Sequence, residues 1–467
     1  MFLFRRNNIW YTVYVNESDI EVPTRFEPIK EDLVSAIELP EGTRIVEMIF
    51  ADVFGVLRGK KVPAAQWPRV AREGSHIPGA PLYWGVRCEC PDESPAGGMD
   101  QGYPDMVIKP IASTLRPVPW RPGITQVFCS LENPDGTPSE LCPRNALISI
   151  LQEYEKDGVD AMIALEMEFY LLDPETHKPL IRQMNTYGVY DGSRYDEVLT
   201  DIIDGLVAYG LPVEAGMQEC GTGQLEITLR YDKALKAADD AILMRNAVKE
   251  LASKNGLVAT YMAKPFNEES GSGLHIHQSM WRDGKNLFDG VGEAAGGPSE
   301  YAMHYLGGLQ KRIAEFSLFG SWNVNDYKRR QDFTLSPTTD SWGGDNRTVA
   351  IRMIDAEGSC RFEQRDPCST SNLYLAVAGQ LAAGLDGVRT GVKPGPRCDL
   401  NAYTDPNAKP LPRSVPAAIE ALEASDLARK SFPELLIDTY IDTVKREYDA
   451  VTIPVSDIER DRYIGAI

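Results

Sequence analysis

The sequence predicts an α+β chain of two domains: a small, sheet-rich unit with an N-terminal extension over residues 1–135, and a larger unit over 136–467 where strands alternate with long helices. Three observations predict it. At 467 residues the chain is longer than one hydrophobic core usually supports, and 43% apolar residues are ample for two. Over the first 130 or so residues, short apolar runs alternate with Gly/Pro-rich connections and leave little room for long helices. After the turn-forming cluster ENPDGTPSELCPRN (132–145), helical periodicity sets in with ALISILQEYEKDG.

Strands of the first unit are predicted at Arg44–Phe50, Met106–Pro110 and Gln126–Ser130, which are short apolar runs bounded by turn formers. In the second unit, apolar residues at helical spacing predict helices over Asp196–Tyr209, Lys233–Asn255, Glu300–Phe319, Asn372–Val388, Val415–Ala424 and Pro433–Tyr448. Segment 291–299, VGEAAGGPS, reads as an exposed loop, and no internal repeat or low-complexity tract is present.

Composition excludes some functions. With 48 basic and 68 acidic residues the formal charge is −20, which argues against a nucleic-acid partner or an anionic membrane surface. MFLFRRNNIW has no sustained apolar segment, and no later run reaches the roughly 18 residues of a spanning helix, so a cytoplasmic protein is expected. The eight cysteines form no CxxC pair, and Cys88-x-Cys90 is too close for an ordinary zinc pair, so they read as reduced, structural thiols. Two of only five histidines share GSGLHIHQSM.

Four strands place chemistry-bearing residues on one face, because side chains at i and i+2 point the same way. In IALEMEFYLL, Glu166 and Glu168 separate from Leu165, Met167 and Phe169. In GQLEITLRY, Gln224, Glu226 and Arg230 oppose Leu225, Ile227, Leu229 and Tyr231. GLHIHQSMW sets His275, His277 and Ser279 against Leu274 and Ile276, and CRFEQRDP sets Arg361, Glu363 and Arg365 against Phe362. Solvent faces favour Thr, Lys and Ser, whereas these four carry Glu, His and Arg almost throughout.

If the strands line one cavity, the carboxylates Glu166, Glu168, Glu226 and Glu363 need cations beside them. Oxygen ligands with few imidazoles suit Mg²⁺ or Mn²⁺ better than zinc. Magnesium usually arrives with phosphates, and Arg347, Arg352, Arg361 and Arg365 supply matching donors, so the residues point to phosphoryl chemistry. Neither a Walker motif nor a GxGxxG fingerprint is present.

Taken together and in order, DVFGVLRGKKVP (52–63), LEMEFYLLD, QECGTGQLEI, KPFNEESGSGLHIHQS, NDYKR, DNRTVAIR and RFEQRDP resemble the glutamine synthetase family, and within it the γ-glutamyl-amine ligase branch. The resemblance implies an N-terminal β-grasp domain and a catalytic domain whose curved antiparallel sheet forms a double-ended funnel for ATP and L-glutamate. It implies a double-ring homo-oligomer, a dodecamer in the commonest form, with sites between neighbouring chains. By position, one metal would be held by Glu168, Glu219 and Glu226 and another by Glu166, His275 and Glu363, with two or three Mg²⁺ or Mn²⁺ ions per site. Glu219 comes from the family pattern alone.

The same resemblance assigns Arg347 and Asp52 catalytic roles, Arg347 at the transferring phosphoryl group. ATP would meet Tyr231, His277, Ser279, Arg352 and Arg361, and glutamate would meet Gly271, Arg329 and Arg365. The resemblance also implies that glutamate would attack the γ-phosphate of ATP to give γ-glutamyl phosphate, which an amine would then attack.

Two departures fall on the amine side. Ammonia-using members carry a flap glutamate where this chain has Leu335, and the N-terminal loop keeps Asp52 but loses its accompanying serine. A larger amine is therefore expected. A polyamine would need a distal acid, for which Asp332 and Asp340 are available; an alkyl- or arylamine would need apolar walls, for which Phe333, Leu335 and Trp342 are available. Leu335 tips the balance towards a monoamine. The alternatives are an ammonia-using glutamine synthetase with an atypical flap and a non-catalytic homologue.

Overall fold

The computed structural model describes residues 2–6, 9–13, 38–180, 186–189, 194–290, 297–356 and 358–466. The loop expected at 291–299 lies largely outside them, as does most of the N-terminal extension. In the N-terminal unit β1 (Phe2–Arg6) and β2 (Ile9–Val13) pair as a hairpin. A second sheet holds β3 (Ile45–Ala51), β4 (Leu57–Pro63), β5 (Ser75–Pro78), β6 (Asp105–Pro110), β7 (Arg116–Pro117) and β8 (Ile124–Glu132). Its order is β4-β3-β8-β6-β5, with β3 and β8 parallel at the centre and the other pairs antiparallel. One short α-helix, α1 (Trp67–Glu73), accompanies it among the described residues.

The turn after β3 is fixed by Asp52. Its fully buried carboxylate accepts 2.9 Å hydrogen bonds from the Phe54 and Val56 N–H groups and from Arg58 Nε. Burial nevertheless pushes this carboxyl up to about 6, against the pull of Arg58. Gly55 sits at φ +75°, where an added Cβ would lie 2.7 Å from Arg245 Nη2 and 3.2 Å from Asn372 Cα. Gly55→Ala therefore strains the backbone and wedges the two units apart, and is expected to cost about 2–4 kcal/mol in a denaturant titration.

The larger unit contains α2 (Pro143–Lys156), β9 (Asp160–Leu172), α3 (Arg194–Ala208), β10 (Val213–Gln218), β11 (Gln224–Leu229), β12 (Asp232–Lys233), α4 (Ala234–Lys254), β13 (Val258–Thr260), β14 (Leu274–Arg282) and β15 (Lys285–Asn286). It continues with α5 (Glu300–Arg312), α6 (Ser317–Gly320), α7 (Val324–Arg329), β16 (Trp342–Gly343), β17 (Ile351–Ile354), β18 (Arg361–Gln364) and α8 (Leu373–Thr390). Then come α9 (Val415–Glu423), α10 (Asp426–Ser431), α11 (Glu434–Thr452) and α12 (Asp457–Tyr463). The main sheet runs β10-β11-β9-β14-β18-β17-β16.

Two expectations need correction. The sheet is not wholly antiparallel: β16 pairs parallel with β17. The chain between them doubles back around Asn346, whose side chain accepts from the Thr348 N–H and donates to the Leu400 carbonyl. The single helix expected over Glu300–Phe319 is two, α5 and α6, because the chain turns at Phe316, which packs against Gly379 of α8. Helix α8 is buried on nearly every face against α5, α2 and α4, and its Gln380 accepts a hydrogen bond from Gln278 of β14 (2.9 Å), while α4 and α2 pack on β9. None of the described helices is long and apolar enough to cross a membrane.

Candidate active site

Strand β9 alternates as its sequence requires. Leu165, Met167, Phe169 and Leu171 are fully buried in the core, which sends Glu166 and Glu168 to the opposite face. The register then builds three cross-strand rows. Glu226 of β11 stands opposite Glu168, and Glu166 stands opposite His275 of β14. His277 stands opposite Glu363 of β18, which in turn faces Arg352 of β17. Above the rows opens a cavity of about 490 Å³, whose walls include Glu166, Glu168, Glu219, Glu226, His275 and His277 together with Arg329, Arg347, Arg352, Arg361 and Arg365.

The carboxylates strain against one another. Burial, reinforced by the charges of Glu166, Glu168, Glu219 and Glu363, pushes the Glu226 carboxyl up to about 9. Burial and the neighbouring Glu219 push Glu168 up to about 7. For Glu166, burial acts upward, but hydrogen bonds to His275 Nδ1 (3.2 Å) and His277 Nε2 (3.0 Å) hold it well below the usual carboxylate range. Glu363, also buried, is drawn down to about 2 by His275 and Arg365. Burial, with Arg365 nearby, lowers His275 and so acts towards the neutral imidazole, the form that ligates metals. A face of oxygen and imidazole donors whose acids repel one another fits divalent cations.

Donor atoms lying within 4.8 Å of one another form two groups among the described residues: Glu166, Glu226 and His275, and Glu166, His277 and Glu363. This differs from the expected trios. His277, expected among the ATP contacts, stands within a candidate cation group, and Glu166 belongs to both groups. Glu168, Glu219 and Glu226 line the same cavity, where Glu168 Oε2 accepts from the Gly273 N–H (2.7 Å) and Glu219 Oε2 accepts from the Cys220 N–H (3.0 Å).

The arginines are held by backbone and carboxylates. Arg329, at the end of α7, is buried and donates to the carbonyls of Asp366 (3.2 Å), Pro367 (3.1 Å) and Arg365 (3.3 Å). Arg365 pairs with Glu363, and Arg352 bridges Glu363 (3.0 Å) and Asp345 (2.6 Å). Arg347 reaches the cavity from an exposed position. At Gly271 an added Cβ would lie 2.6 Å from Arg329 Cγ and 2.7 Å from the Ala263 carbonyl. Gly271→Ala should displace Arg329 and raise the KM for glutamate by roughly tenfold while leaving that for ATP within twofold, as steady-state kinetics would show.

Six predicted site residues are not among those lining the cavity of their own chain, and one of them, Glu363, lies 1% exposed beneath Arg352 and Arg365. Tyr231 is 39% exposed beyond the end of β11, where alternation no longer governs direction. Ser279 Oγ accepts from Trp281 Nε1 (2.9 Å), and Asp52 is enclosed in its own turn. Trp342 is buried, its Nε1 donating to the Gly395 carbonyl (2.8 Å). Phe333 is 72% exposed and packs on Tyr403. Leu335 does line the cavity, flanked by Thr334 and Ser336.

Sequence reasoning missed two residues. Gln224 Nε2 donates to Glu168 (3.2 Å) and to the Gly271 carbonyl (3.0 Å), while its Oε1 accepts from the Gly221 N–H (2.8 Å). It thereby ties the acid row to the glycine segment; its place on the polar face of β11 was the available signal. Tyr187 also lines the cavity, from a segment without periodicity that could have marked it.

Comparison with known proteins agrees with this architecture. The family model of the glutamine synthetase catalytic domain matches residues 140–463. The chain is 34% identical over 430 residues to a glutamate–isopropylamine ligase of Pseudomonas sp, covering 89% of this chain and 94% of that one. It is 32% identical over 455 residues to a gamma-glutamylethanolamide synthetase of Streptomyces coelicolor, covering 95% and 97%. A solved structure of a GmaS/ADP complex superposes with a TM-score of 0.81 at 30% identity, covering 91% of this chain and 97% of that chain. The cavity of acids, histidines and arginines thus stands in a fold and sequence shared along nearly the whole length, and the chain belongs to the glutamine synthetase family.

Proposed function

We propose that the protein is an ATP-dependent ligase that joins the γ-carboxylate of L-glutamate to a small organic monoamine, releasing ADP and phosphate. The observation that carries this reading is the composition of one cavity: paired acids and imidazoles beside five arginines, with Leu335 on its wall where ammonia-using members place an acid. The curated relatives described above act on isopropylamine and ethanolamine, and the similar solved structure binds ADP.

In this reading Glu166, Glu168, Glu219, Glu226, His275 and Glu363, with His277 beside them, would hold divalent cations, whose charge would neutralise the phosphates of ATP. Arg329 and Arg365, with Gly271, position glutamate, so that an oxygen of its γ-carboxylate attacks the γ-phosphorus and ADP departs. Arg347 stabilises the charge spreading over the transferring phosphoryl oxygens, and Arg352 and Arg361 hold the nucleotide side. The neutral amine nitrogen then attacks the γ-carbonyl carbon, the carbon–oxygen bond to phosphate breaks, and the amine loses a proton.

A monoamine is favoured over a polyamine because the two candidate distal acids are already engaged. Asp332 pairs with Arg413 (3.0 Å) and accepts from Thr338 (2.7 Å), and Asp340 accepts from the Lys409 N–H (2.7 Å). The family membership supports a cytoplasmic homo-oligomer whose sites form between neighbouring chains, with the boundary near residue 135 separating the two contributing units. The test is phosphate release with ATP, Mg²⁺ and glutamate across ethylamine, isopropylamine, ethanolamine, putrescine and ammonium. Monoamines should rank first; no release with any of them would favour the non-catalytic reading.

A further inference from the structure

The chain segment carrying Leu335 has an unusual backbone. Phe333 and Leu335 both adopt positive φ, 64° and 60°, a region bulky side chains rarely enter and keep only when their surroundings hold them there. The base of this flap is zipped to residues 409–413: the Leu411 N–H donates to the Thr338 carbonyl (2.9 Å), the Asp340 N–H donates to the Lys409 carbonyl (2.8 Å), and Arg413 pairs with Asp332 (3.0 Å). The tip has a different anchor. Tyr403, which does not line the cavity, donates its hydroxyl to the Ser336 carbonyl (3.1 Å) and packs its ring on Phe333 at 5.2 Å between centroids.

The consequence for the cavity is specific. Leu335 contributes apolar surface, and Ser336, 3% exposed, has an Oγ with no hydrogen-bond partner. With its carbonyl taken by Tyr403, Ser336 is held with its hydroxyl buried behind the flap, and Leu335 is left as the apolar wall that the alkyl substituent of a small amine would meet. We infer that Tyr403 is a positioning residue for the amine: by clamping residues 333–336 it fixes the face made by Leu335 and Ser336 and so sets which amines the site accepts. This rests on the ligase reading above, and it places selectivity under the control of a residue outside the cavity.

Two variants test it. Tyr403→Phe removes only the hydroxyl and Tyr403→Ala removes ring and hydroxyl. Loss of one hydrogen bond should raise the KM for isopropylamine roughly three- to tenfold in the first, and more in the second. Discrimination against ammonium should narrow in parallel, while KM for ATP and for glutamate stays within twofold. Hydrogen exchange of a peptide spanning 331–338 should quicken in both, most in Tyr403→Ala. Unchanged exchange there, or a rise in all three KM values together, would overturn the inference. If the unmodified enzyme turns over no amine, the ligase reading fails, and the exchange measurement still decides whether Tyr403 holds the flap.

Discussion

Glu166→Gln is expected to reduce amine-dependent phosphate release by roughly a thousandfold, the scale on which loss of a charge-stabilising group lowers phosphoryl and acyl transfer. Glu166 is the one residue common to both candidate cation groups, with an oxygen 3.0 Å from His277 Nε2 and another 3.2 Å from His275 Nδ1. An amide in its place keeps the shape but loses a negative charge and offers an N–H to a cation. The rise in thermal midpoint that Mg²⁺ confers on the unmodified protein, which follows from binding to the folded state alone, should shrink or vanish in the variant. Retention of near-normal turnover together with the full Mg²⁺-dependent stabilisation would remove Glu166 from the metal site.

Leu335→Glu is expected to exchange the preference of the enzyme for its second substrate. Leu335 is 50% exposed and lines the cavity, so a carboxylate there remains hydrated and ionised when the site is open. It attracts ammonium, but an alkyl substituent would have to displace water from it at a cost of about 2–3 kcal/mol. With every 1.4 kcal/mol worth about tenfold, kcat/KM for isopropylamine should fall by roughly a hundredfold, while that for ammonium rises. The position already holds a positive φ, so the substitution adds no new backbone demand, and glutamate and ATP constants should stay unchanged. A uniform loss with every amine would show that the flap closes the site without selecting what enters it.

Much of the site was legible in the sequence because β-strand alternation is a strict rule. Glu166, Glu168, Glu226, His275 and His277 could be placed on one face from period-two spacing alone, and the register brings them together. Glu363 belongs to the same network but is 1% exposed, hidden beneath Arg352 and Arg365, because a central strand buries whatever its neighbours cover. Alternation fails where strands stop. β11 ends at Leu229, so the direction of Tyr231 was not determined by the pattern. Trp342 illustrates a second limit: an indole N–H can be satisfied by a remote carbonyl, here Gly395, which no local pattern reveals. The backbone N–H groups of Gly273 and Cys220 that hold Glu168 and Glu219 in the cavity also escaped spacing arguments, because they are contacts of the folded chain. Helix positions followed apolar periodicity closely, but the parallel edge pair β16–β17 depends on a loop held by Asn346 and has no periodic signal.

Competition in a single vessel decides whether the proposed transfer of glutamate's acyl group goes to an organic monoamine in preference to ammonia. The full-length protein would be supplied with ATP, Mg²⁺, limiting glutamate and equal concentrations of neutral isopropylamine and neutral ammonia, and the products separated by mass. γ-Glutamylisopropylamide is expected in clear excess over glutamine, formed in one-to-one proportion with phosphate; glutamine as the major product would show an ammonia-using enzyme.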